Sequence, residues 1–145
     1  AELAELGGDL LVEALPSLMD GTAIWTEQDE SLVTHAAKVS KADMRLDPAD
    51  AALASERKVL ASSDAAPARC ALSGKPARVT RAVRAAPGAP TVAQGELRIE
   101  GGRVFLGCGD GVLEVLSIKP DGKRKMDAAA WAAGQRASRG TWERL

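Results

Sequence analysis

The sequence predicts a mainly β fold with flanking helices: a small closed β-barrel preceded by an N-terminal helix and a linker. Three observations carry this. Between Ala71 and Ile118, short alternating runs are punctuated by turn residues at Ser73-Gly74, Gly101-Gly102 and Gly109-Asp110-Gly111. Four or five strands so spaced can close on one another and leave no exposed edge. Ahead of them, Leu3, Leu6, Leu10, Leu11, Ala14 and Leu15 recur at spacings of three and four, which puts them on one face of a helix. Charge then divides the chain: residues 1–50 hold 11 acids against 3 bases, a balance of −8, while residues 51–145 hold 9 acids against 16 bases, a balance of +7. The two parts carry different duties.

Taken in order, the leucine stripe defines a helix over about 2–15, and Pro16 should end it because proline removes a helical hydrogen bond and crowds the preceding turn. A stripe needs a surface to cover, so residues 1–19 are expected to be the last helix of a domain lying upstream. From Asp20 the periodicity fades, and 20–46 is expected to be an extended linker anchored by Trp25. Asp47 as N-cap, Pro48 at the first position and Asp50 in the first turn predict a helix running to about Ala61. It opens a barrel domain spanning 47–145. Alternation marks strands over Ala77–Ala85, Thr91–Ile99, Arg103–Cys108 and Val112–Ile118, with a loop at Ala86-Pro87-Gly88-Ala89-Pro90. Asp127 should cap a short alanine-rich helix that Gly134 finishes, and Trp131 and Met126 read as core, the tryptophan covering the barrel's open end.

The 145 residues, 46% hydrophobic and 27% charged, suit one ordinary domain with an appendage. No apolar run approaches the ~18 residues of a membrane span. The two cysteines, Cys70 and Cys108, have no partner at metal-ligand spacing, so both read as core thiols in a cytoplasmic protein. A single histidine, His35, and no tyrosine leave little acid–base or nucleophile-activating equipment. His35 reads as a packing residue of the linker, and Gly109-Asp110-Gly111 as a hairpin turn.

Five ordered segments resemble the C-terminal portion of the methionyl-tRNA formyltransferases: Leu6-Gly7-Gly8-Asp9-Leu10-Leu11, Gln28-Asp29-Glu30-Ser31, His35-Ala36-Ala37-Lys38-Val39-Ser40-Lys41, Cys108-Gly109-Asp110-Gly111 and Gly122-Lys123-Arg124-Lys125-Met126-Asp127-Ala128-Ala129. Departures occur at His35 and Ala37, where the family usually has Tyr and Pro, and at Ala65-Ala66-Pro67-Ala68, which stands for a Pro-Trp-Pro-Gly-like turn. The resemblance implies a parent enzyme that moves a formyl group from 10-formyltetrahydrofolate to the amino group of initiator methionyl-tRNA. Its catalytic Asn, His and Asp, near a Ser-Leu-Leu-Pro loop, have no counterparts here, since Leu15-Pro16-Ser17-Leu18 has the letters in another order. The chain would therefore be the auxiliary tRNA-binding part, ending in an OB-type barrel, a cytoplasmic monomer that binds no folate and is inactive alone.

That division agrees with the charge, because each neutralised phosphate releases counterions without base readout. Candidate tRNA contacts are Lys38 and Lys41 in the linker, Arg57 and Lys58 on the helix, Lys75, Arg78, Arg81 and Arg84 on the first strands, and Lys123, Arg124 and Lys125 before the last helix. Period-2 alternation favours Arg78 with Arg84 over Arg81 as the pair sharing a strand face. Few aromatic residues favour duplex-backbone binding over single-strand stacking. An alternative is a structural barrel of another formyltransferase-like enzyme, acting on an amine other than a tRNA.

Overall fold

The computed structural model describes residues 2–145, which belong to two compact units divided between Ala37 and Lys38. In the first, helix α1 spans Glu2–Met19 with Pro16 inside it. The expected stop at Pro16 is thus corrected by one turn. The last turn is stitched without the missing N–H: Ser17 Oγ donates to the Ala14 carbonyl at 2.9 Å, and Asp20 N–H donates to the Pro16 carbonyl at 3.0 Å. No α1 side chain is buried, the leucine stripe included. Beyond it, Asp29 caps a single 3-10 turn at Glu30–Leu32, accepting from Ser31 N–H at 2.9 Å. Trp25, expected as an anchor, is 84% exposed, and His35 is exposed rather than packed. A polar stretch with isolated apolar residues supplies too few neighbours to bury either.

The second unit starts with a segment whose Leu46 is fully buried; Leu46 N–H donates to the Arg69 carbonyl at 2.9 Å. Helix α2 spans Ala52–Ala61 and buries Ala52, Ser55 and Val59, one stripe at helical spacing. It begins later than Asp47 and Pro48 suggest. Asp47 instead accepts from Ala49 N–H at 2.9 Å, closing a turn. The first free N–H of α2, that of Ala52, donates to Asp110 Oδ1 at 2.7 Å, so the cap comes from 58 residues away.

The strands are β1 (Arg69–Leu72), β2 (Lys75–Arg84), β3 (Glu96–Glu100), β4 (Arg103–Gly107), β5 (Val112–Pro120), β6 (Met126–Asp127) and β7 (Arg139–Glu143), with α3 (Ala128–Ala133) between the last two. Every ladder is antiparallel, and β1, β2, β5, β4, β3 and β7 form a closed ring to which β6 adds on β5. This is the small closed barrel, mainly β with flanking helices, that the glycine-punctuated runs predict, and it fits the OB-like type that the resemblance implies. Two-residue loops join β1 to β2 at Ser73-Gly74 (φ 49° and 75°) and β3 to β4 at Gly101-Gly102 (φ 58° and 76°). Positive φ at both loop residues matches the right-handed twist of the strands.

The strand expected over Thr91–Ile99 shortens to β3. Residues ahead of it cross over Gly107, where a Cβ would lie 1.8 Å from the Ala93 carbonyl oxygen, so backbone occupies the place of a side chain. Strand β7 was not among the expected strands, yet it closes the ring between β1 and β3. Its Trp142 is buried, and the indole N–H donates to the Gly107 carbonyl at 2.8 Å. Val79, Val104, Leu106, Leu113 and Ile118 fill the interior at zero exposure. Trp131 and Met126 pack partly buried against that core. Asp127 stands at the N-cap of α3, although its side chain makes no capping bond.

Candidate nucleic-acid interface

A groove of about 780 Å³ runs between α2 and the outer side of β2 and β5. Helix α2 contributes Arg57 and Glu56, β2 contributes Arg78 and Arg81, β5 contributes Lys119, and the turn after β5 contributes Lys125. Its lining holds those five cations against the carboxylates Glu56 and Asp64, and it includes no histidine or cysteine. What this groove offers is positive charge beside apolar walls from Leu53, Val59 and Leu60.

Pairing puts the charge there. Arg78 lies opposite Arg69 on β1 and opposite Lys119 on β5, so three cations form a row across three strands. Like charges in facing positions repel. Two carboxylates relieve the row: Asp121 meets Arg69 at 2.6 Å, and Asp64 meets Arg78 at 2.6 Å. The Arg78 guanidinium holds the Asp64 carboxyl below the usual carboxylate range, with Lys119 adding a weaker pull.

The pairing of Arg78 with Arg84 is corrected. Between Val79 and Ala82 the β2–β5 ladder shifts register twice, so alternation does not carry through the strand. Arg78 and Arg81 line the groove together, whereas Arg84 lines a separate concavity under the 85–92 loop. Lys119, not among the candidates, lines the groove, as does Arg81, which alternation ranks below Arg84. The place of Lys119 follows from β5 lying beside β2, and that of Arg81 from the bulge.

The other candidates fall in several places. Lys75 and Lys123 share a smaller concavity of about 320 Å³ with Trp131 and Gln135. The turn carrying Lys123, Arg124 and Lys125 spans both: Lys123 faces this concavity, Lys125 the groove, and Arg124 is exposed. Lys58 is tied to Asp50 at 2.7 Å and to the Arg45 carbonyl at 3.1 Å. Lys38 and Lys41 are exposed near the start of the unit.

Chemistry by proton transfer has little to work with here. Burial pushes the Cys70 thiol up to about 12 and the Cys108 thiol up to about 11, which keeps both protonated. Among the described residues no cluster of His, Cys, Asp or Glu could hold a metal ion, and no helix is long and apolar enough to cross a membrane. A folate's flat ring would need an enclosed slot; the barrel interior is filled by side chains and the groove is open and cationic, so these residues do not fit it.

Residues 38–136 match the family model of the formyl transferase C-terminal domain, and the chain belongs to that family. The match starts at Lys38, where the second unit starts. The individual proteins it resembles are methionyl-tRNA formyltransferases. It is 34% identical over 136 residues to that of Corynebacterium jeikeium, covering 93% of this chain and 42% of the relative. It is 38% identical over 136 residues to that of Corynebacterium urealyticum, covering 92% and 41%. With that of Halorhodospira halophila it shares 37% over 135 residues, covering 92% and 43%. The chain thus spans about two fifths of the length of these curated relatives. In fold it is similar to crystal structures of HypX from Aquifex aeolicus, one with a TM-score of 0.66 at 22% identity over 87% of this chain and 23% of that one.

Proposed function

We propose that this chain is the tRNA-binding C-terminal portion of a methionyl-tRNA formyltransferase, whose parent formylates the amino group of initiator methionyl-tRNA. The observation that carries the reading is the groove in which Arg57, Arg78, Arg81, Lys119 and Lys125 converge from α2, β2, β5 and the following turn. Such a row suits a phosphate backbone, which needs positive charge at intervals and no reacting group. The identity to methionyl-tRNA formyltransferases over most of the chain supports initiator methionyl-tRNA as the parent's substrate. In the parent, 10-formyltetrahydrofolate provides the formyl group; a tetrahydrofolic acid complex of HypX, similar to this chain in fold, accords with a folate donor. The residues of this chain hold RNA while chemistry proceeds on polypeptide outside it, so the chain alone is a cytoplasmic, monomeric, inactive binder.

The test has two arms. Full-length parent should formylate initiator methionyl-tRNA and this chain should not. The chain should bind tRNA with an affinity that falls steeply with salt, and each of Arg57, Arg81, Lys119 and Lys125 changed to Gln should reduce the slope of log K against log salt by about 0.7–0.9. Lys123, Arg124 and Lys125 changed together should weaken binding broadly without altering which tRNA is preferred. Binding that stays flat with salt, or formylation by the parent that is indifferent to these changes, overturns the reading in favour of a purely structural barrel.

A further inference from the structure

We infer that Arg78 is a seat for one backbone phosphodiester and that Asp64 is its exchangeable counter-ion, occupying the seat until an RNA phosphate displaces it. This rests on the reading of the groove as an RNA surface and names the residue that regulates it. Two features of Arg78 show a guanidinium left under-satisfied. Asp64 satisfies only one corner of the guanidinium, through Nη1 at 2.6 Å. The Nε–H is shielded from solvent and has no hydrogen-bond partner. A guanidinium is built for bidentate partners, and a phosphodiester brings two free oxygens to it.

Asp64 itself is a poor permanent partner. Its side chain is 98% exposed while that of Arg78 is 21% exposed, so the acid sits in water at the mouth of the groove and the base is held within it. Nothing buried is lost when the carboxylate swings away. An exposed pair of this kind is weak and screened by salt. Meanwhile Arg81 and Lys119 flank the same position and are in no ion pair among the described residues. Asp121 serves Arg69, so Asp64 is the one carboxylate at the Arg78–Lys119 end of the row; leaving those two cations opposite each other with no anion would be unfavourable, and that end keeps one anion, either Asp64 or the ligand's.

The experiment is a double-mutant cycle on the full chain, read by binding of initiator tRNA transcript and, separately, of inorganic polyphosphate. Asp64→Asn should tighten tRNA binding about two- to fivefold at low salt, the fold-change that corresponds to removing one exposed ion pair. Arg78→Gln should weaken it, and in the background of Arg78→Gln the gain from Asp64→Asn should vanish. Glu56→Gln removes the same charge from the same groove without touching Arg78, and its smaller gain should persist in that background. If Asp64→Asn has no effect, or its gain survives the loss of Arg78, the exchange is overturned while the tRNA reading stands. A cycle that holds for polyphosphate in a chain that ignores tRNA would overturn the tRNA reading and leave the anion seat. Binding of neither probe overturns both.

Discussion

Asp110 shows how a residue read as a turn can carry a structural duty elsewhere. It lies between two glycines in the loop joining β4 to β5, yet its carboxylate caps α2. Gly109 explains why the loop can come so close: a Cβ there would stand 2.7 Å from the Ala49 carbonyl oxygen. Asp110→Ala should destabilise the barrel by about 1 kcal/mol, the usual cost of an N-cap, and Gly109→Ala should cost more, both read from the midpoint of urea unfolding. A second residue-scale prediction concerns Glu114, whose two oxygens accept from Arg103 Nε at 2.7 Å and Nη2 at 2.6 Å. Those bonds hold its carboxyl below the usual range. Because the folded value is depressed, the stabilisation is full above the unfolded value near ~4.3 and is lost as pH falls through the folded one. The acid limb of a stability–pH profile should therefore be shallower in Glu114→Gln, and an unchanged limb would refute the linkage.

Among the elements, β7 is the least legible in the sequence and among the most consequential. Arg139-Gly140-Thr141-Trp142-Glu143 does alternate, but Trp142 is its single large apolar residue, so a search for apolar runs passes over it. What makes it a strand is non-local: Ser73 N–H donates to the Thr141 carbonyl at 2.7 Å, and Trp142 N–H donates to the Gly95 carbonyl at 2.8 Å. Local signals did serve where the structure is local. Ser73-Gly74 and Gly101-Gly102 mark hairpins because positive φ at both positions is written in the residues themselves. For the same reason the groove was half legible: Arg57, Arg78 and Lys125 stand out as charge, while Arg81 and Lys119 join them only through a bulge and a pairing. The closing role of β7 can be isolated by Trp142→Phe, which keeps most of the ring and removes the indole donor, leaving the Gly107 carbonyl with Gly95 N–H alone at 3.0 Å. It should cost about 0.5–1.5 kcal/mol, the net worth of one hydrogen bond whose acceptor keeps another donor, and Trp142→Ala about 3–5 kcal/mol. Equal stability of wild type and Trp142→Phe would show that this hydrogen bond does not hold the ring.

Over the whole molecule, charge and core are divided at the same place. Residues up to Ala37 contain 8 acids and no Lys or Arg; all 19 bases, with 12 acids, lie from Lys38 onward. Among the described residues every buried hydrophobic residue likewise lies between Met44 and Trp142, and α1 buries none. An 18-residue helix without tertiary packing is marginal in water, so the first unit adds little to folding free energy. A chain that starts at Lys38 should accordingly keep its unfolding free energy within about 0.5 kcal/mol, the scatter of changes made away from buried structure. The same truncation removes 8 negative charges and no positive one, which turns a net −1 into +7. It should bind tRNA more tightly at low salt, and the advantage should shrink as the screening length falls to about 8 Å near physiological ionic strength. Both readouts come from one protein and fail for different reasons. A large loss of stability would mean that the first unit supports the barrel, whereas unchanged affinity at low salt would mean that its acids never compete with RNA for the cationic groove.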